Sequence, residues 1–175
     1  MMKQNIDIWE YAPQILRATG NGVLLTTQAE GEVDTMTIGW GHLGIEWYKP
    51  IFVAYVRQSR HTKSLLDKNP EFTVNIPLGQ ADKEIIKVCG TQSGRDVNKI
   101  EKLHLTLVPG ETVSVPGIKE LPLTLECKVV YKQDQELSAI SEADRDRFYK
   151  AGTPNDGDFH TAYYGEITAA YILKD

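Results

Sequence analysis

Hydrophobic and polar positions along this chain fall into short blocks. Most of them carry the period of strands rather than of long helices. Gly22 to Gln28 (GVLLTTQ) is a strand, AEGE is a turn, and VDTMTIGWGHLGIEW is a second strand containing glycines, so the three form a hairpin. PIFVAYV is apolar throughout and predicts a third strand buried on both faces. Glu71 to Pro77 (EFTVNIP) alternates, Leu121 to Tyr131 is a further strand, and FHTAYYGEITAAYIL is a long final one. Helical spacing is confined to short stretches. These are YAPQILRATG, with Pro13 near its first turn, a helix over Leu65 and Leu66 capped by Ser59 or Thr62, QADKEIIKVCG, DVNKIEKL, and SEADRDRFYK opened by Ser141. Many strands and few helices, without βαβ alternation, predict an α+β or β-barrel domain.

A length of 175 residues suits one domain, residues 1–175, and no repeat or linker divides it. The net charge of −5 and the absence of a basic block argue against nucleic-acid binding, which needs many Lys and Arg contacts to phosphate. Cys89 and Cys127 form no C-x-x-C pair, so two buried thiols are expected. MMKQNIDIWEY lacks the apolar core of a signal peptide, and no apolar run is long enough to span a membrane. A cytoplasmic protein without a membrane partner is expected.

Against this background, RQSRHT stands out directly after the apolar IFVAYV run. Arg57, Ser59, Arg60 and Thr62 bring guanidiniums and hydroxyls to a helix N-terminus, where unpaired N–H groups favour an anion such as phosphate. The alternative is a plain N-cap whose arginines pair with surface carboxylates. In DTMTIGWGHLG, threonine hydroxyls and free amides can bond the rim of a planar heterocycle and Trp40 can pack on it; the alternative is a twisted strand with a core tryptophan. CGTQSGRD presents Arg95 from a small-residue loop that is not a P-loop. His160 opens the last strand with no second ligand nearby, so a metal site is not expected. It can donate to a ligand, act as an acid, or be structural.

The ordered set GVLLTT, TMTIGWG, KPIFVAYVRQSRHT, FTVNIP, CGTQSGRDVNK and HTAYYGEI resembles the flavin reductase-like, FMN-binding split-barrel family, within it the flavoredoxin-like branch, from about Gly22 to Ile167. The resemblance implies a six-stranded antiparallel Greek-key split barrel with short peripheral helices. It also implies a homodimer with FMN near the subunit interface. Carried over by motif, Thr35, Met36, Thr37 and Trp40 would line the flavin ring. Arg57, Ser59, Arg60 and Thr62 would hold the phosphate region, and Ser93, Arg95 and Asp96 would close over the cofactor. His160 would approach the flavin or the nicotinamide. Asp34 stands where relatives often have Asn; its ionised carboxylate can only accept, for instance from a flavin N–H. The implied function is an NAD(P)H-dependent flavin reductase that passes hydride to flavin N5 and electrons to a small-molecule or protein acceptor. The alternatives are an FMN electron carrier that NADH or NADPH does not reduce, and a non-flavin ligand-binding protein on the same barrel. No G-x-G-x-x-G signals a Rossmann site for the nicotinamide.

Overall fold

The computed structural model describes residues 2–174. In chain order the elements are β1 (Met2–Asn5), α1 (Ile8–Asn21), β2 (Val23–Ala29), β3 (Glu32–Ile38), β4 (Gly41–Glu46), β5 (Lys49–Arg57), α2 (His61–Lys68) and β6 (Glu71–Ile76). There follow α3 (Lys83–Thr91), α4 (Lys99–Lys102), β7 (Leu107–Val108), β8 (Gly117–Ile118), β9 (Leu123–Asp134), α5 (Glu142–Phe148) and β10 (His160–Lys174).

The main sheet is antiparallel, in the order β3-β2-β6-β9-β10-β5-β4, with β1 added along β10. Its neighbours are not all sequential: β5 and β6 follow one another in the chain but are separated in the sheet by β9 and β10, a Greek-key arrangement. Its two end strands, β3 and β4, are consecutive in sequence and joined only by Gly39 and Trp40. That short link forces the edges together, so the sheet curls into a barrel. No ladder joins β3 to β4 among the described residues, so the barrel stays split there. The expected single strand from Val33 to Trp47 is therefore two strands that leave the link in different directions. The glycines mark the break.

Inside the barrel, Leu25, Phe52, Phe72, Val74, Leu125 and Tyr163 form the core. Two glycines against the core phenylalanines are required by close packing. A Cβ on Gly165 would collide with the Phe72 ring, and one on Gly41 would lie 2.8 Å from Cζ of Phe52. At Gly165 the β9–β10 register shifts, which bends the long last strand around the core.

Helix α1 starts five residues before Pro13, capped by Asp7, whose carboxylate accepts the Trp9 amide at 2.9 Å. The expected start at Tyr11, with Pro13 near the first turn, is thus too late. β1 has no counterpart in the expected pattern; its MKQN sequence is short and polar, and its pairing with Tyr171–Lys174 supplies what its own residues do not. Both cysteines are free and buried. Among the described residues no helix is long and apolar enough to cross a membrane.

Candidate functional site

The split between β3 and β4, with the end of β5 behind it, opens a cleft of two lobes. The first, about 170 Å³, is lined by Met36 to Trp40, Tyr55, Arg57, Arg60 and His160. The second, about 220 Å³, lies between the N-terminus of α2 and the loop after α3 and is lined by Met36, Ser59 to Thr62, Cys89, Thr91 to Arg95 and Lys99. Met36 and Arg60 line both, so the lobes adjoin. Because β3 is an edge strand, alternate backbone N–H and C=O groups along it are free for a ligand rather than a neighbouring strand.

The cleft's position follows from strand ends. β5 and β10 pair with Arg57 opposite His160, placing both side chains at the mouth of the split. Trp40, held in the β3–β4 link, packs its ring 4.7 Å from the His160 ring and meets Phe148 edge-on at 5.0 Å. It remains 37% exposed, leaving a flat apolar surface open to the first lobe. The hydroxyl of Thr37 donates to the carbonyl of Ile86 at 2.7 Å, which locks α3 against β3.

The two arginines of RQSRHT are in different states. Arg57 donates to the carbonyls of Asp158 at 2.9 Å and Phe148 at 3.4 Å and stacks on Tyr149, so it clamps the segment leading into β10. Arg60 is the N-cap residue of α2, and its Nε is buried with no hydrogen-bond partner among the described residues. An unpaired buried guanidinium nitrogen is costly unless a ligand pairs it. Neither Ser59 nor Thr62 caps the helix, contrary to the sequence expectation. Ser59 lies before the cap, and its amide and hydroxyl donate to the Asp158 carboxylate at 2.8 and 2.7 Å. Thr62 lies inside the first turn, where its hydroxyl donates to Asp34 at 2.6 Å. Arg95 Nη1 donates to the carbonyl of Ser59 at 2.9 Å, closing the second lobe from the opposite loop.

Three of the expected residues do not line either lobe. Thr35 is fully buried, donating to the Leu25 carbonyl at 3.2 Å and accepting from Thr26. Asp34 is 4% exposed and pairs with Lys99 at 3.0 Å, so its carboxylate serves a buried ion pair instead of standing free for a flavin N–H. The Gly94 backbone covers it: a Cβ there would lie 2.6 Å from an Asp34 oxygen. Asp96 is exposed on the loop and takes part in its turn through its amide, which donates to the Ser93 carbonyl at 3.1 Å.

Other cleft residues were not singled out from sequence. Tyr55 shares a strand face with Arg57, a period-two signal that could have found it. Lys99, 3% exposed, had no signal, since a lysine on a short polar helix is normally solvated. His160 is 7% exposed, and its Nδ1 lies 2.6 Å from the Tyr149 oxygen. Burial, reinforced by Arg57 and Arg60 and opposed by Asp158, depresses its pKa to about 4. At neutral pH the ring is uncharged. Cys89 lies at the floor of the second lobe, where burial pushes its thiol up to about 11, so it stays protonated and unreactive.

A relative from Archaeoglobus fulgidus, an uncharacterised protein, is 47% identical over 75 residues, which is 43% of this chain and 42% of that one. The chain spans about half the length of the curated relatives it matches. Among solved structures, flavoredoxin from Methanosarcina acetivorans is 27% identical with a TM-score of 0.64, covering 87% of this chain and 68% of that one. Flavoredoxin of Desulfovibrio vulgaris (Miyazaki F), 21% identical with a TM-score of 0.65 over 87% of this chain and 69% of its own, shares the fold. The model of the flavin reductase like domain matches residues 16–175, which takes in the split, both lobes and every strand except β1. With that match over the barrel and its cleft, the chain belongs to the flavin reductase-like domain family.

Proposed function

We propose that this chain binds FMN in the two-lobed cleft and works as an NAD(P)H-dependent flavin reductase, handing electrons to a small-molecule or protein acceptor. The buried, unpaired Nε of Arg60 carries the reading. Arg60 lines both lobes, next to Arg95 and the first turn of α2, and a phosphate group would satisfy the unpaired nitrogen. The first lobe suits a planar ring: Trp40 and Met36 give it apolar walls, and the edge of β3 gives it free backbone groups. When bound, FMN supplies an isoalloxazine that accepts hydride at N5 from the nicotinamide and releases electrons onward. The protein's share is to hold the phosphate, orient the ring against Trp40, and keep His160 neutral beside it.

A second reading, an FMN electron carrier that nicotinamide does not reduce, is favoured by the similarity to the flavoredoxin from Methanosarcina acetivorans. A homodimer is part of the proposal. Ile45, Trp47, Tyr48 and Tyr131 are exposed, Trp47 and Tyr48 at the turn of the β4–β5 hairpin, and such a patch suits burial against a second copy.

The test is the visible spectrum of dialysed protein before and after adding FMN, followed by anaerobic mixing with NADH and with NADPH. Flavin bands that bleach on mixing support the reductase. Bands that persist with both nucleotides support the carrier. Protein that takes up no FMN overturns both.

A further inference from the structure

Behind the first lobe, Gln135, Tyr149 and His160 form a hydrogen-bonded chain. The Tyr149 hydroxyl donates to Oε1 of Gln135 at 2.8 Å. The same Oε1 accepts the backbone N–H of His160 at 3.4 Å, an arrangement that an amide nitrogen in its place could not make. A phenol has one proton. With that proton given to Gln135, the 2.6 Å contact between the Tyr149 oxygen and Nδ1 of His160 must take its proton from the imidazole. The neutral ring is therefore the Nδ1–H tautomer, and Nε2 carries a lone pair. Among the described residues Nε2 makes no hydrogen bond, and with Nδ1 turned back to Tyr149 the opposite edge of the ring is the one His160 presents to the lobe it lines. Trp40, 4.7 Å away, restrains the ring's rotation.

We infer that Gln135 and Tyr149 are positioning residues that lock His160 as the Nδ1–H tautomer, so that Nε2 offers the cleft a hydrogen-bond acceptor. The ligand group that meets it brings an N–H or O–H; a carbonyl or an imine-type nitrogen is disfavoured there. For its ligand this rests on the flavin reading; for the tautomer it does not. The charged groups that face the ring are Arg57 from β5, Arg60 from the turn before α2 and Asp158 from the approach to β10, with Tyr149 at the end of α5. Burial, helped by the two cations, keeps the ring from taking a second proton.

The test is long-range ¹H–¹⁵N NMR of the His160 imidazole in the flavin-free protein, which distinguishes a protonated ring nitrogen from an unprotonated one. At neutral pH the expected spectrum has the proton on Nδ1 and a pyridine-like Nε2. Gln135→Leu keeps the Tyr149 ring but removes its acceptor. The phenol proton then turns to Nδ1, and the pyridine-like signal moves from Nε2 to Nδ1. Gln135→Glu, which can still accept, keeps the wild-type pattern. Wild-type protein with its proton on Nε2, or a Gln135→Leu chain that folds and keeps Nδ1–H, overturns the inference. FMN added to the same samples tests the other reading separately: absence of flavin uptake with Nδ1–H in place overturns the flavin assignment and leaves the tautomer lock standing.

Discussion

Arg95 Nη1 donates to the Ser59 carbonyl at 2.9 Å, tying the loop after α3 to the turn before α2. The Asp158 carboxylate holds the amide and hydroxyl of the same residue from the opposite side. The Ser59 peptide is thus fixed from two loops, and Arg60 follows it directly. Arg95→Ala removes one of those two ties and a cation from the second lobe. A hydrogen bond involving a charged group is worth about 1.5–3 kcal/mol, roughly tenfold or more in affinity. FMN binding is expected to weaken by that much, and riboflavin, which lacks the phosphate, to be affected far less. Parallel titrations by flavin fluorescence check it; equal losses for both ligands would remove Arg95 from anion recognition.

Arg57 and Arg60 are three residues apart, and their substitutions are expected to separate stability from binding. Arg57 bonds two backbone carbonyls and packs on Tyr149. Arg57→Ala leaves those carbonyls short of a donor and loosens the approach to β10. A cost of about 1–3 kcal/mol of folding stability is expected. Arg60 has an unpaired buried Nε, so Arg60→Ala relieves that cost and is expected to leave the stability of the flavin-free protein unchanged or raise it, while weakening FMN at least tenfold. Urea unfolding and flavin titration on both variants decide the matter. The reverse pattern would assign the phosphate to Arg57.

The sequence carried the strands and the motifs well and the side-chain partners poorly. IFVAYV, EFTVNIP and the last strand were legible because their burial patterns are local. The break at Gly39 and Trp40 was not, because it is made by β3 and β4 lying at opposite ends of the sheet. RQSRHT suggests an anion seat, but nothing in it distinguishes the guanidinium that clamps backbone from the one left unpaired. That difference is made by Phe148 and Asp158, about a hundred residues away in the chain. Asp34 was misplaced for the same reason: its partner Lys99 comes from α4, whose polar sequence gives no hint of a buried ammonium.

That buried pair makes its own prediction. Asp34 and Lys99 are almost fully enclosed, 3.0 Å apart, and Asp34 also accepts the Thr62 hydroxyl. Removing one member leaves a buried charge uncompensated, at a cost of about 3–5 kcal/mol. Asp34→Asn and Lys99→Met are each expected to fall in or near that range. The double variant should lose much less than the sum, because it strands no charge. Chemical denaturation of the four proteins gives the coupling directly, and additive losses would mean the pair is not coupled in solution.

His160 predicts how stability responds to acid. Its folded pKa of about 4 lies below the ordinary 6.5, so the unfolded chain takes up a proton that the folded chain refuses. Above pH 6.5 both states are neutral and the group contributes no pH dependence. As pH falls from 6.5 toward 4, the unfolded state gains protons first, and stability drops by a total on the order of 3 kcal/mol. Below 4 both states are charged and the loss levels off. Two carboxyls add acid-side losses of their own. Burial raises Asp67, but hydrogen bonds from Lys132, Lys63 and Tyr163 outweigh it and hold the group at about 2. Burial likewise raises Glu126, and donors from Thr112, Glu111 and Tyr171 bring it below its usual range. Their contributions are present at neutral pH and are lost as acid protonates them, Asp67 only as pH falls toward 2. His160→Asn removes the upper window and leaves the lower one. The difference in unfolding free energy between wild type and variant should therefore change between pH 6.5 and 4 and stay constant above that range. A difference that is flat from pH 7 to 4 would mean that His160 in the folded protein takes its proton as readily as in the unfolded chain, and that neither burial nor the cations of Arg57 and Arg60 depress it.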